Sequence, residues 1–200
     1  MYTLCLNVIG KLRTIWFAFT YRSSFRSLGS GALLVSPFRL DGAELIEVGA
    51  KSVFQRGVWL YCCGVDVGKP ATLSIGEGCV FGYHNHITCV QSVVIGDHVL
   101  TANNVYISDN LHEYEDIERP IMHQKVKFKA MTSIGSGSWI GENVCIIGAS
   151  VGKNCVIGAN AVVTHDIPDY SVAVGSPARV IKQYNFESKS WVPVVENRAK

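Results

Sequence analysis

Six histidines can move protons near neutral pH, and one of them lies in a strongly acidic segment. Asp109-Asn110-Leu111-His112-Glu113-Tyr114-Glu115-Asp116 sets a histidine among acidic side chains. An imidazole can take a proton from a hydroxyl as that hydroxyl attacks an electrophile, which typically accelerates a reaction by ~10²–10⁴-fold. A neighbouring carboxylate, Asp109 or Glu113, could fix the tautomer of the ring. A solvated acidic loop is the plainer reading of the same residues. Tyr83-His84-Asn85-His86 is a second polar cluster, for which an exposed turn competes with a binding role. His98 reads as surface, and His123 has no assigned role.

Other chemistries lack their patterns. The cysteines, at 5, 62, 63, 79, 89, 145 and 155, include no C-x-x-C pair, so no zinc knuckle or thioredoxin-type motif is present. Val144-Cys145-Ile146 sets one of them between aliphatic residues, as expected of small apolar fillers in a reducing compartment. There is no G-x-S-x-G and no P-loop. Gly135-Ser136-Gly137-Ser138-Trp139-Ile140-Gly141 has the wrong spacing for a dinucleotide fingerprint.

What must hold these residues is a repeat. Aliphatic residues recur at 134, 140, 146, 151, 157 and 163, six apart except for one step of five. Upstream, Ile75, Phe81, Ile87 and Val93 keep the same period; a slip of two leads to Ile95, Thr101 and Ile107. A period of six is not a helix period, and the glycines at 135, 141, 152 and 158 would cost a helix about 1 kcal/mol each. One inward aliphatic followed by a corner describes a short strand and a turn. Glycine is expected there for its tolerance of positive φ, with Asn143, Asn154 and Asn160 as further turn residues. Three hexads close one triangular coil, so the expected fold is all-β, a parallel β-helix of hexapeptide repeats.

The pattern bounds the parts. Residues 1–30 are expected to be helical and amphipathic, capping the first coil; 31–183 form the β-helix, with early coils around 46–60 less regular; 184–200 form a tail. A polar excursion over about 108–132 interrupts the coils, and such long loops are commonly functional. The 200 residues are 48% apolar and 17% charged, which excludes disorder, and the net charge of +2 gives no basis for a nucleic-acid partner. No run approaches the ~20 apolar residues of a membrane span. No small-residue cleavage site follows Ile15–Phe19, which argues against a signal peptide. The aromatic residues beside Lys11, Arg13, Arg22 and Arg26 suit either peripheral membrane contact or packing on the domain. The expected location is cytoplasmic, extending to the inner face of the membrane.

Three segments, in order, resemble the hexapeptide-repeat acyltransferases, the group of maltose, galactoside and nodulation-type O-acetyltransferases. They are Ile107-Ser108-Asp109-Asn110-Leu111-His112, Trp139-Ile140-Gly141, and the run Val162 to Ile181 containing Thr164-His165-Asp166-Ile167-Pro168 and Gly175-Ser176-Pro177-Ala178-Arg179. The resemblance covers roughly 45–183. Arg26-Ser27-Leu28-Gly29 and Pro37 to Gly42 further resemble the branch acting on bacterial surface polysaccharides. It implies a left-handed β-helix, a homotrimer and transfer of acetyl from acetyl-coenzyme A to a carbohydrate hydroxyl, with His112 as general base. It places His84, Asn85 and Asp109 near the acceptor. Trp139, Gly141, Ala159 and Thr164 would line the donor groove, and Arg179 and Lys182 would meet its phosphates. His165 stands where the family usually has lysine. No metal is expected. The γ-type carbonic anhydrases share this solenoid, and His84, His86 and His112 are the imidazoles such a zinc site would need. A scaffold without catalysis is the remaining alternative, as is a non-sugar acceptor such as an antibiotic.

Overall fold

A computed structural model describes residues 12, 15–17, 19–65 and 70–194. The chain winds through coils of three short parallel strands, and the strands stack into three sheets. The first sheet stacks Ser27–Leu28, Ile46–Val48, Thr72–Ile75, Ser92–Ile95, Thr132–Ile134 and Ser150–Val151. The second begins Leu33–Leu34, Val53–Phe54, Val80–Phe81, Leu100–Thr101, Trp139–Ile140 and Val156–Ile157. The third stacks Arg39–Asp41, Trp59–Cys62, His86–Cys89, Tyr106–Ser108, Cys145–Ile147 and Val162–Val163.

The hexad residues are the core. Ile75, Phe81, Ile87, Ile95, Thr101, Ile107, Ile134, Ile140, Ile146, Val151, Ile157 and Val163 are all buried. Each sits in register above its counterpart in the next coil, as Ile95 does between Ile75 and Ile134. Phe54 and Phe81 stack at 4.4 Å inside the second sheet. Thr101 is the polar rung. Its hydroxyl donates to Asn85 Oδ1 (3.3 Å) and accepts from the Gly82 amide (3.3 Å). The side-chain amide of Asn85 donates to the Gly82 and Ala102 carbonyls at 2.7 and 3.0 Å, so this buried pair is satisfied.

The corners differ. First-to-second-sheet and second-to-third-sheet corners are four residues long in every coil. All length variation falls at the third corner, so Leu28, Val48, Ile75, Ile95, Ile134 and Val151 stack at sequence spacings of 20, 27, 20, 39 and 17. The eight-residue spacing from Ile87 to Ile95 and the five-residue step from Ile146 to Val151 both span it.

The expected reason for the corner glycines needs correction. Positive φ occurs two residues later, at Gly137, Asn143, Asn154 and Asn160. Gly141 is required for room instead: a Cβ there would lie 2.7 Å from the Ala159 amide nitrogen of the coil below.

The boundaries also move. The coils begin at Ser27–Leu28, which pair with Glu47–Val48, and the coils before Leu73 are regular. The excursion after Ser108 is a two-stranded antiparallel arm, Asn110–His112 against Val126–Phe128. At the far end, Ser171–Val174 continues the second sheet, and Arg179–Asn185 and Ser190–Pro193 extend it antiparallel. The boundary expected at 183/184 therefore falls inside a strand, and residues 186–193 are part of this hairpin. The helical positions before the coils are Leu12, Ile15–Phe17 and Phe19–Tyr21, with Phe17 packed against the core. No described helix is long and apolar enough to cross a membrane.

Candidate active site

The arm leaves the third corner, and its root is fixed by Asp109. This fully buried carboxylate accepts the backbone N–H groups of Val90 (2.9 Å), Gln91 (2.8 Å) and Ser92 (2.8 Å), all in the corner of the coil above. It also accepts from the Asn110 side-chain amide at 2.9 Å. Its main-chain carbonyl accepts the Lys129 amide at 2.8 Å, closing the base of the arm. Asp109 is thus the acceptor that the two-residue-longer corner needs. Its oxygens are committed inward, so the expectation of an acceptor-facing Asp109 is corrected.

Asn110, His112, Val126 and Phe128 share one face of the arm, since directly paired antiparallel residues point the same way. Asn110 reaches Thr88 Oγ1 (3.2 Å) on the outer surface of the third sheet. His112, two residues on, is exposed. Among the described residues nothing hydrogen-bonds its ring. Glu113 and Glu115 do not orient it: Glu113 alternates to the opposite face, and Glu115 pairs with Lys127. That bond holds the Glu115 carboxyl at about 2, well below the usual carboxylate range. An open cleft of about 620 Å³ lies beside the arm, lined by Gln91, Glu113, Lys125, Val126, Lys127 and Phe128, with Val65 at its edge.

The other expected residues take separate places. His84 is a second-corner residue at φ 57°, its ring filling the space above Gly57. Asn85 is buried and spent on Thr101, which corrects its expected contact with an acceptor. His86 faces outward from the third sheet between Trp59 (4.1 Å, stacked) and Tyr106 (5.2 Å). Burial lowers its pKa, and its Nε2 has no partner among the described residues. His84, His86 and His112 do not converge within one chain, and the described residues hold no group of metal-ligating side chains.

The expected donor residues lie along two edges. Trp139 is half exposed on the second sheet, between Leu100 and Val156. Gly141 and Ala159 occupy the adjoining second corner of successive coils. Arg179, exposed opposite Val174, continues that edge, and Lys182 lies opposite Val172 in the end hairpin. Thr164 follows the last strand of the third sheet, its hydroxyl 3.0 Å from His165 Nδ1. His112 and Thr164 are thus at the third corner, and Trp139, Gly141 and Ala159 at the second, with the third sheet between them.

The outer columns of the sheets are unlike. On the second sheet Leu33, Val53, Val80, Leu100, Trp139, Val156 and Val172 are in register. On the third, Arg39, Trp59, His86, Tyr106, Cys145 and Val162 are. The first presents Ser27, Glu47, Ser74, Val94, Ser133 and Ser150. Sequence reading singled out Trp139 but not its column, nor Asn110, Val126 and Phe128. The signal available was the two-residue alternation within each hexad.

Comparison with known proteins agrees with the coil architecture. The family model described as the hexapeptide repeat of succinyl-transferase matches residues 72–109 and 131–165, breaking at the arm. A protein of Escherichia coli K12 carrying the name lipopolysaccharide biosynthesis O-acetyl transferase, WbbJ, is 35% identical over 132 residues, covering 59% of this chain and 67% of that one. This chain belongs to the hexapeptide-repeat acyltransferases. It is also 40% identical over 161 residues to a Mycobacterium tuberculosis protein named an acetyltransferase, with 79% of this chain covered. The chain spans 52% of that relative's length. Among solved structures, a maltose O-acetyltransferase of Clostridium difficile matches with a TM-score of 0.52 at 31% identity, covering 81% of this chain and 71% of that one. A Vibrio cholerae hexapeptide-repeat acetyltransferase, solved with acetyl-coenzyme A, matches with a TM-score of 0.54 at 21% identity, covering 82% and 74%. The fold is the left-handed parallel β-helix of this family.

Proposed function

We propose that the chain transfers acetyl from acetyl-coenzyme A to a sugar hydroxyl in polysaccharide or lipopolysaccharide biosynthesis, at sites shared between copies of a homotrimer. The observation that carries this reading is the separation of the site's parts. His112 stands exposed on a braced arm without a partner among the described residues, and Trp139, Gly141 and Ala159 line the opposite edge of the third sheet. A second copy docking its apolar second face there would bring one chain's arm against the other chain's donor edge. Closed three-fold symmetry would repeat that contact without leaving an open end.

In the ternary complex, His112 takes the proton of the acceptor hydroxyl as its oxygen attacks the thioester carbonyl. The tetrahedral centre collapses, the C–S bond breaks, and the departing thiolate takes the proton back from the imidazolium. No acyl-enzyme is needed. Asn110 and the cleft beside the arm would hold the hydroxylated acceptor, with Phe128 and Val126 as apolar floor. Trp139, Gly141, Ala159 and Thr164 would flank the pantetheine, with His165, Arg179 and Lys182 toward the phosphates. Acetyl-coenzyme A is a cytoplasmic metabolite, so the reaction belongs in the cytoplasm.

The test is thiol release from acetyl-coenzyme A across a panel of sugar acceptors. His112→Ala should lower transfer by about 10²–10⁴-fold. Its melting temperature should be unchanged, and acetyl-coenzyme A should still raise that temperature by mass action. Near-wild-type transfer by His112→Ala would remove His112 from the mechanism. A monomer by sedimentation at micromolar concentration would remove the shared site.

A further inference from the structure

The segment ahead of the solenoid has a face that acyl transfer does not use. Phe17 packs inward against the core and stacks on Tyr21 at 5.0 Å. Leu12, Ile15, Trp16 and Phe19 follow the i, i+3, i+4, i+7 pattern that places side chains on one helical stripe, and all are exposed, from 62% at Leu12 to 88% at Phe19. Four large apolar side chains aligned in water are a surface that wants a cover.

Charge identifies the cover. Residues 1–40 contain Lys11, Arg13, Arg22, Arg26 and Arg39 and no acidic residue. Residues 41–200 carry the remaining 13 basic and all 16 acidic residues, so they are net negative although the whole chain is +2. Arg22 is exposed one turn beyond Phe19, and Arg26 meets Glu47 only through a 3.5 Å surface ion pair. A second copy presenting the same stripe would bring cations against cations, and the outward sheet columns described above offer a single carboxylate, Glu47, already beside Arg26. A partner both apolar and anionic is the headgroup layer of an acidic bilayer, into which a helix of this kind inserts its apolar face while lying flat.

We infer that this helix seats the enzyme on the surface of an anionic phospholipid bilayer. The stripe enters the acyl boundary, and Arg22 meets lipid phosphates. This docking does not depend on the acyl-transfer reading, because none of its residues belongs to the candidate site.

The experiment is co-sedimentation of the full chain with vesicles of phosphatidylglycerol and phosphatidylcholine, and with phosphatidylcholine alone. The chain should pellet with the anionic vesicles and much less with the neutral ones. Raising salt to about 0.5 M should release it, because screening then acts within ~4–5 Å. Ile15→Ser, Trp16→Ala and Phe19→Ser together should lower the partition coefficient more than tenfold, with an unchanged melting temperature. Arg22→Glu should lower it about fivefold or more. The inference is overturned if the wild-type chain stays in the supernatant with anionic vesicles, or if the triple variant pellets like wild type. It is equally overturned if the triple variant changes the oligomeric state by light scattering, because the stripe would then be an interface between copies.

Discussion

Removing the Asp109 carboxylate should unfold the protein more readily than it impairs acceptor binding. In Asp109→Ala the amide N–H groups of Val90, Gln91 and Ser92 lose their acceptor at once. Val90 is buried and cannot turn to water, whereas Gln91 and Ser92 are half-buried and recover part of their hydration. A hydrogen bond to a charged group contributes about 1.5–3 kcal/mol, and an orphaned buried donor costs a similar amount. One full loss and two partial ones amount to roughly 3–6 kcal/mol, a large share of a domain's ~5–15 kcal/mol. At about 2–4 °C per kcal/mol for a chain of this size, the midpoint should fall by roughly 6–24 °C. Asp109→Asn keeps one acceptor oxygen and should fall by roughly half as much. Scanning calorimetry of the two variants against wild type measures this directly. If Asp109→Ala melted within about 2 °C of wild type while its acceptor KM rose sharply, the carboxylate would be an acceptor ligand and the corner reasoning would be wrong.

Three further outcomes follow from particular side chains. Burial lowers the His86 pKa, so the folded state resists a proton that the unfolded chain accepts near ~6.5; stability should drop as pH falls below that value. His86→Phe removes the term, and its melting advantage over wild type should grow between about pH 8 and pH 5.5; a constant difference would show that the ring is not desolvated. Glu115 should stay ionised down to about 2 by carboxyl NMR, and Lys127→Met should return it toward the ordinary range. Being exposed, that pair should leave the melting temperature nearly unmoved. Gly141→Ala must push its new methyl against the Ala159 amide, so it should both lower the midpoint and weaken acetyl-coenzyme A binding, read by thermal shift and calorimetric titration.

The ladder was legible because burial depends on one residue type at one period. Every hexad residue from Ile75 to Val163 is inward, and even the slip after Val93 keeps Ile95 over Ile75. The first coils were harder to read. Between Val48 and Ile75 the third corner lengthens, so the period breaks where the strands do not. The glycine corners were recognised, but φ was given the role that close backbone approach plays at Gly141. For Asp109, side-chain type suggested chemistry, and only the three-dimensional neighbour, a corner seventeen to nineteen residues back, shows a structural duty. Asn85 misled in the same way: a polar residue near a repeat corner is needed to satisfy Thr101. The candidate site itself is divided between two edges, which linear order does not reveal.

The confinement of every length change to one corner separates the scaffold's tolerances from its constraints. Two edges of the prism are fixed at four residues per turn, so one added residue there would throw an aliphatic rung to the surface and a polar one into the core. The third edge absorbs spacings from 17 to 39 residues while Ile134 still lands on Ile95. Segments exchanged along that edge leave the ladder in register, and the arm carrying His112 is one of them. If the arm holds the acceptor as proposed, exchanging arms between relatives should rewrite acceptor preference while the edge bearing Trp139, Gly141 and Ala159 stays as it is. On the proposed reading the acceptor side of the reaction is built on the one seam where the chain can change length, and the donor is flanked from both sides, by Trp139, Gly141 and Ala159 along an edge where it cannot and by Thr164 at the last turn of that seam.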